Sequence, residues 1–429
     1  MHRWGRCEGS SRRWRDRVFL WHNARMPAEI FSAARLRRAL VIKLRHHGDV
    51  LLATPVPAML KRIAPQCEVD ALAYADTAPM LAGHPALAQI HLIDRSWKKQ
   101  ALWRQAAAEW RLLSRLRARR YDLVVHLSVH MRGAWLTRLL RPHWSMAPKF
   151  RPGFWEKSFT HFYPAQSNPQ QHTVETNLDS LRALGLAPCD ADKRVILVQG
   201  EAADMRVECL LAGHGLPVGG FIHIHPTSRW LFKCWPAERV ATLVRELSAR
   251  GWPVVFTAAP EAQEKAMMQD IIARLGVAAT PPAGSTLAAP AFDFSGQLSL
   301  KELAALTARA RLFVGVDSAP MHIAAAMGTP AVAIFGPSGD REWRPWQVTC
   351  CVVASAAHSC RPCGRAGCND SKVSECLTTL PVAQVLAACD ELLAVPLMPG
   401  PERGMRAVRR AAARGVDDPV LGRPGDGAL

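Results

Sequence analysis

Leu312-Phe-Val-Gly-Val-Asp317-Ser318-Ala319-Pro320-Met321-His322, continued by Ile-Ala-Ala-Ala-Met and then Gly328-Thr-Pro-Ala-Val-Ala-Ile-Phe335-Gly-Pro337, decides the fold. Two apolar, β-rich runs bounded by Gly and Pro read as strands covered on both faces, which is the signature of a parallel sheet. Between them lies a short helix of small residues. Asp317 and Ser318 stand where the first strand hands over to that helix, where their side chains can cap free amides, and Pro320 suits the first helical turn. A helix start at the carboxyl edge of a parallel sheet is a place for an anionic ligand. An ordinary capped βαβ unit would read the same way, so other segments have to decide its use.

Two do. The first is Val41-Ile-Lys-Leu-Arg-His-His-Gly48-Asp49-Val50-Leu-Leu-Ala-Thr54-Pro55, and the second is His223-Ile-His225-Pro226-Thr227-Ser228-Arg229 with Lys233-Cys-Trp235-Pro236 and Glu238. Each is an apolar strand that ends in a polar turn. In this order and spacing the three segments resemble glycosyltransferase family 9, the bacterial lipopolysaccharide heptosyltransferases. The form Val-Asp-Ser-Ala-Pro-Met-His is most similar to the heptosyltransferase III branch. The resemblance spans residues 39–395.

The expected fold is α/β, with strands and helices alternating at intervals that mean parallel sheets. The resemblance implies two facing Rossmann-like domains of the GT-B type. Residues 1–38 read as a weakly ordered basic extension, with Met26 as a second possible start. Residues 39–187 read as the acceptor domain, 188–398 as the nucleotide-sugar donor domain, and 399–429 as a disordered Gly-, Pro- and Arg-rich tail. Residues 148–172 show no clear periodicity, and 187–220 reads as a loose connection.

The 429-residue chain carries a formal charge of +18, unevenly placed. Arginines crowd residues 3–38, and a second cluster runs from Arg95, Lys98 and Lys99 to Arg120, with Glu109 its lone acid. No nucleic-acid-binding motif accompanies this charge, so nucleic acid is not expected as a partner and an anionic inner-membrane surface is. A merely solvated basic face remains the alternative for the second cluster. No apolar run is long enough to span a bilayer and no signal peptide is evident, so the expected location is cytoplasmic and peripheral to that membrane.

Making a glycosidic bond needs a base for the acceptor hydroxyl and positive potential for the departing diphosphate. Asp49 is the candidate base; a helix N-cap is its plainer alternative. Gly48 gives room for the acceptor or the turn. Lys233 is the candidate cation for the leaving group. Thr227 and Ser228 can donate hydroxyls to phosphates. By resemblance Asp317, Ser318, Ala319 and His322 complete the donor site, although the family's usual Thr-Gly pair is here Ser318-Ala319. Glu264, or else Glu261, is placed at the nucleoside ribose. His223 and His225 share one strand face; without a third ligand they read as packed histidines.

Four closely spaced thiols, Cys360, Cys363, Cys368 and Cys376, suggest a structural zinc clip. The resemblance implies no cofactor for catalysis and inversion in a single displacement. It also implies ADP-heptose as donor and a heptose of the lipopolysaccharide inner core as acceptor. Two alternatives stay open: a related transferase with another nucleotide sugar or acceptor, and a catalytically silent sugar-nucleotide-binding protein.

Overall fold

A computed structural model describes residues 31–164, 170–276 and 287–396. Most of the predicted basic extension and the whole predicted tail lie outside them. The extension ends earlier than expected. Ala33–Arg35 forms a 3₁₀ turn, Leu36 is buried, and the Phe31 ring meets Trp144 edge-on at 5.3 Å.

Twelve strands among the described residues make two sheets. The first holds β1 (Arg38–Ile42), β2 (Glu68–Tyr74), β3 (Leu87–Ile93), β4 (Leu123–His126), β5 (Trp144–Pro148) and β6 (His161–Tyr163), in the order β3-β2-β1-β4-β5-β6. The second holds β7 (Ile222–His225), β8 (Val254–Phe256), β9 (Ala291–Asp293), β10 (Leu312–Val316), β11 (Ala331–Phe335) and β12 (Cys350–Ala354), in the order β12-β11-β10-β7-β8-β9. Every pairing is parallel. Each sheet therefore starts in the middle, winds one way, then returns and winds the other. This is the doubly wound order, with a crevice at the carboxyl ends of β1/β4 and of β7/β10. The expected pair of Rossmann-like folds is what the chain forms.

The helices of the first half are α1 (His47–Leu51), α2 (Pro55–Ile63), α3 (Leu102–Arg119), α4 (Met131–Leu140) and α5 (Thr173–Arg182). Those of the second are α6 (Glu201–Gly213), α7 (Ala237–Ala249), α8 (Ala262–Leu275), α9 (Leu300–Arg309), α10 (Ala319–Met327), α11 (Asp340–Trp343), α12 (Glu375–Thr378) and α13 (Val382–Ala394). Two expectations need correcting here. The segment 187–220 is not loose, because α6 packs Val207 and Leu211 with Leu306 and Ala310 under the second sheet. Residues 148–172 contribute to β5 and β6. Short edge strands of three to five residues leave too little alternation to read.

The two sheets share an apolar seam. Val50 and Leu51 of α1, with Met80 and Leu81, cluster with Leu303 and Ala304 of α9 and Ile323 and Met327 of α10. Polar ties flank it: Lys301 Nζ donates to the Ala82 carbonyl at 2.8 Å, and Trp346 Nε1 to the Lys193 carbonyl at 2.8 Å. None of the described helices is long and apolar enough to cross a membrane.

Burial holds several histidines in the neutral form. It pushes His84, His126 and His172 down to about 4 and His225 to about 3. In the native chain these rings stay neutral, whereas in the unfolded chain they bind protons from about pH 6.5 downward. Stability is therefore expected to fall as pH drops from about 6.5 toward 4, by about 1 kcal/mol per histidine per pH unit. The check is the thermal midpoint at pH values between about 7.5 and 5.5, which should decline steadily; a flat profile contradicts the assignment.

Candidate active site

Asp49 follows β1, in the first turn of α1, and 15% of its side chain is exposed. It is not the cap. The N-cap position belongs to His46, which makes no side-chain cap bond. A carboxylate in the first turn still suits the helix dipole, but its nearest charged partner is Arg45, with Nε 3.6 Å away. The N-cap reading of Asp49 is therefore excluded.

His322 of α10 lies across the seam from it. The imidazole is 3% exposed and rests on Gly48: a Cβ there would sit 2.9 Å from His322 Cδ2. Gly48 is thus needed for the close approach of the opposite lobe, a reason that the sequence did not supply. Burial pulls the His322 pKa down, Asp317 and Asp49 push it back up, and Lys233 adds to the lowering. Among the described residues the buried His322 Nδ1 has no hydrogen-bond partner.

Lys233, in a 3₁₀ turn after β7, donates to Asp317 Oδ2 at 2.6 Å, with side chains 24% and 7% exposed. Trp230-Leu231-Phe232 stand between Arg229 and Lys233. Trp230 and Leu231 are exposed, and the turn they form brings the lysine back over β10. Trp235 is structural, being buried with Nε1 donating to the Leu380 carbonyl at 3.2 Å. Ser318 is the N-cap of α10 but makes no side-chain cap bond; its Oγ donates to the Val316 carbonyl at 3.3 Å. The capping expected of Asp317 and Ser318 does not occur. Asp317 is engaged by Lys233 instead, and the first amides of α10 are left without a side-chain cap. Ala319 is the first residue of that helix.

Thr227 and Glu264 were expected to touch the donor separately, but here they touch each other. Thr227 Oγ1 donates to Glu264 Oε2 at 2.6 Å, and both residues are buried. Burial raises the Glu264 pKa and the Thr227 bond offsets part of the rise. Glu261 is exposed at the start of α8, so the register favours Glu264. Ser228, also buried, accepts from the Trp230 amide at 3.3 Å.

Below them runs a chain of buried polar groups. Thr257 Oγ1 meets His225 Nδ1 at 2.8 Å and His223 Nε2 at 2.7 Å, and Thr307 Oγ1 meets His223 Nδ1 at 3.1 Å. The strand histidines are packed against threonines. Thr257 and Thr307 gave no signal in the sequence.

Glu342 of α11 also went unseen. Burial raises its pKa, its bond to Trp343 opposes this, and both Asp317 and Asp49 add to the rise. Its neighbour Trp343 stands 6.3 Å from the His322 ring. Glu342 follows Asp340 beyond the Gly336-Pro337 turn, and that spacing does not mark it.

The four cysteines of the expected zinc clip lie near one another but differ in exposure. Cys360 and Cys363 are exposed, Cys376 is buried, and Cys368 Sγ accepts from the Glu375 amide at 3.4 Å. Among the described residues no group of three or more His, Cys, Asp or Glu side chains is placed to hold a metal ion. A depression of about 840 Å³ between the two halves is lined by His172, Glu175, Arg182, Arg341, Arg344 and Trp346, and His322 lies near enough to His172 to lower its affinity for a proton. Its Arg182 is already spent on Glu175 and Asp179.

The profile of glycosyltransferase family 9 (heptosyltransferase) matches residues 109–374. Lipopolysaccharide heptosyltransferase 3 of Escherichia coli is 34% identical over 353 residues, which is 82% of this chain and 97% of that protein. The chain belongs to glycosyltransferase family 9. It is a glycosyltransferase by that membership. Solved structures share its GT-B fold at 20% identity. A family 9 glycosyltransferase from Veillonella parvula superposes with a TM-score of 0.69, over 84% of this chain and 99% of that one. E. coli heptosyltransferase WaaC with ADP-2-deoxy-2-fluoro heptose gives 0.60 over 82% and 99%.

The Gly48 contact makes a direct test. Gly48→Ala should push the His322 ring off α1, lowering the thermal midpoint by the equivalent of about 1–3 kcal/mol and reducing sugar transfer at least about tenfold. Melting and turnover equal to wild type would show that the approach is not required.

Proposed function

We propose that this glycosyltransferase moves L-glycero-D-manno-heptose from ADP-heptose to a heptose of the lipopolysaccharide inner core, with inversion at the anomeric carbon. Family membership and the names of its relatives support the substrates. The observation that carries the chemistry is the meeting of Asp49 and His322 with the Lys233–Asp317 pair across the seam. Residues 39–187 then form the acceptor domain and 188–398 the donor domain.

In this reading the Asp49 carboxylate takes the proton from the acceptor hydroxyl as its oxygen attacks the anomeric carbon. The bond from that carbon to the diphosphate oxygen breaks, and its electron pair leaves with ADP. Lys233 and the uncapped amides of α10, from Ala319 onward, meet the charge that builds there. Without donor, Lys233 is held by Asp317. With donor, the diphosphate competes for the ammonium and frees the Asp317 carboxylate for sugar hydroxyls. His322 donates to phosphate, and Ser228 and Ser318 offer hydroxyls beside it. Glu264 accepts from the ribose while Thr227 fixes its orientation, a different role for Thr227 from the phosphate contact expected of its hydroxyl. Positive charge for the leaving group comes from the protein, so the step calls on no divalent cation.

The enzyme would work on the cytoplasmic side of the inner membrane, held to its anionic surface by basic residues. The dense positive charge between Arg95 and Arg120 supports that placement.

Two measurements test the reading. Asp49→Ala should keep ADP binding and lose transfer by about two to four orders of magnitude, whereas Lys233→Ala should weaken ADP binding as well; unchanged turnover in Asp49→Ala removes the base assignment. Calorimetry should show ADP binding more tightly than UDP, and the reverse order would exclude ADP-heptose as donor.

A further inference from the structure

The helical layer over the first sheet has an outer face unlike a solvated one. α3 buries Ala108, Leu112 and Leu116. With about 3.6 residues per turn, Trp103 and Trp110 lie seven residues apart on the opposite stripe, where they are 67% and 66% exposed. Ala106, Ala107 and Ser114 lie beside them, Arg117 continues the stripe one further heptad on, and Arg104, Arg111 and Arg115 run along one side of it.

α4 lies alongside. Arg132 pairs with Glu109, and Arg117 Nε donates to the Leu139 carbonyl at 3.3 Å. The helix adds Trp135, 55% exposed, and Arg138 to the same surface. Both helices begin at the carboxyl edge of the sheet, so the tryptophans sit in the half of the layer nearest the cleft that holds Asp49. The far end of α3 is anchored. Arg119 grips the fully buried Asp70 through two bonds of 2.7 and 3.0 Å, which leaves this arginine out of the outer face.

We propose that the α3–α4 face docks on an anionic phospholipid bilayer, with Trp103, Trp110 and Trp135 in the headgroup boundary and the flanking arginines on lipid phosphates. Indole rings favour that boundary, having an apolar body and a polar edge. Charge complementarity selects an anionic surface over an apolar protein partner, since Glu109 is already neutralised by Arg132. Docked this way, the mouth of the cleft faces sugars carried on a lipid. The inference rests on the reading of the acceptor as a membrane-anchored glycan.

The test is sedimentation of the full chain with vesicles of phosphatidylethanolamine and phosphatidylglycerol, compared with vesicles of phosphatidylcholine alone. The wild type should partition onto the anionic vesicles. Trp103→Ser with Trp110→Ser should weaken this about tenfold, and Arg111→Gln with Arg115→Gln by about fivefold per arginine, with a flatter salt dependence. Both variants should transfer sugar to a delipidated, water-soluble acceptor at the wild-type rate, which separates docking from folding and chemistry. If the tryptophan variant partitions as tightly as the wild type, the face is wrong, whatever else holds the chain to the vesicles. A wild type that ignores the vesicles yet glycosylates the soluble acceptor also removes the docking face, and leaves the transferase reading standing.

Discussion

The contact of Gly48 with His322 is the constraint on which the rest of this structure depends. Two doubly wound sheets each raise a crevice at their carboxyl edge, and in the proposed reading neither holds a complete set of groups for glycosyl transfer. The first would supply a carboxylate, and the second a lysine, a helix start and a histidine. α1 can lie against α10 because position 48 has no side chain. The apolar seam of Val50, Leu51, Ile323 and Met327 then holds the two helices together. Burying such side chains is worth roughly 1.5–3 kcal/mol each, enough to favour this apposition without any ligand.

Electrostatics inside the cleft follow from that closeness. Burial favours the neutral form of His322 while two carboxylates oppose it, so the ring lies under competing influences. Lys233 and Asp317 form a short ion pair in which the carboxylate is nearly buried. Such a pair gives a limited net gain because both ions lose water. In the proposed reading a doubly charged diphosphate would draw the lysine away at modest cost.

Much of the fold was legible because its strands are central and buried. β1, β7, β10 and β11 are apolar runs that end at Gly, Pro or a polar turn, and each stands where the sequence predicts it. Short edge strands such as β6, β9 and β12 pair on one side only and carry mixed residues, so they left no pattern. α6 was missed for a related reason: it buries few positions and follows a segment without periodicity. Among the candidate site residues, Asp49, Lys233, Asp317 and His322 stood out because strand ends at a topological switch point are where ligands tend to bind. Glu342, Thr257 and Thr307 could not, since each reaches its partners only through packing between elements far apart in the chain.

The amino-acid sequence by itself determined the alternation of strand and helix, the family, and the polar turns that carry the chemistry, because these depend on residues close together along the chain. Only the tertiary structure decided that Asp49 is no cap, that Thr227 is bound to Glu264, and that Gly48 serves the opposite lobe. The last two are questions of which atoms meet across roughly 40 to 270 residues of separation. Local propensity is blind to such distances, and packing settles them.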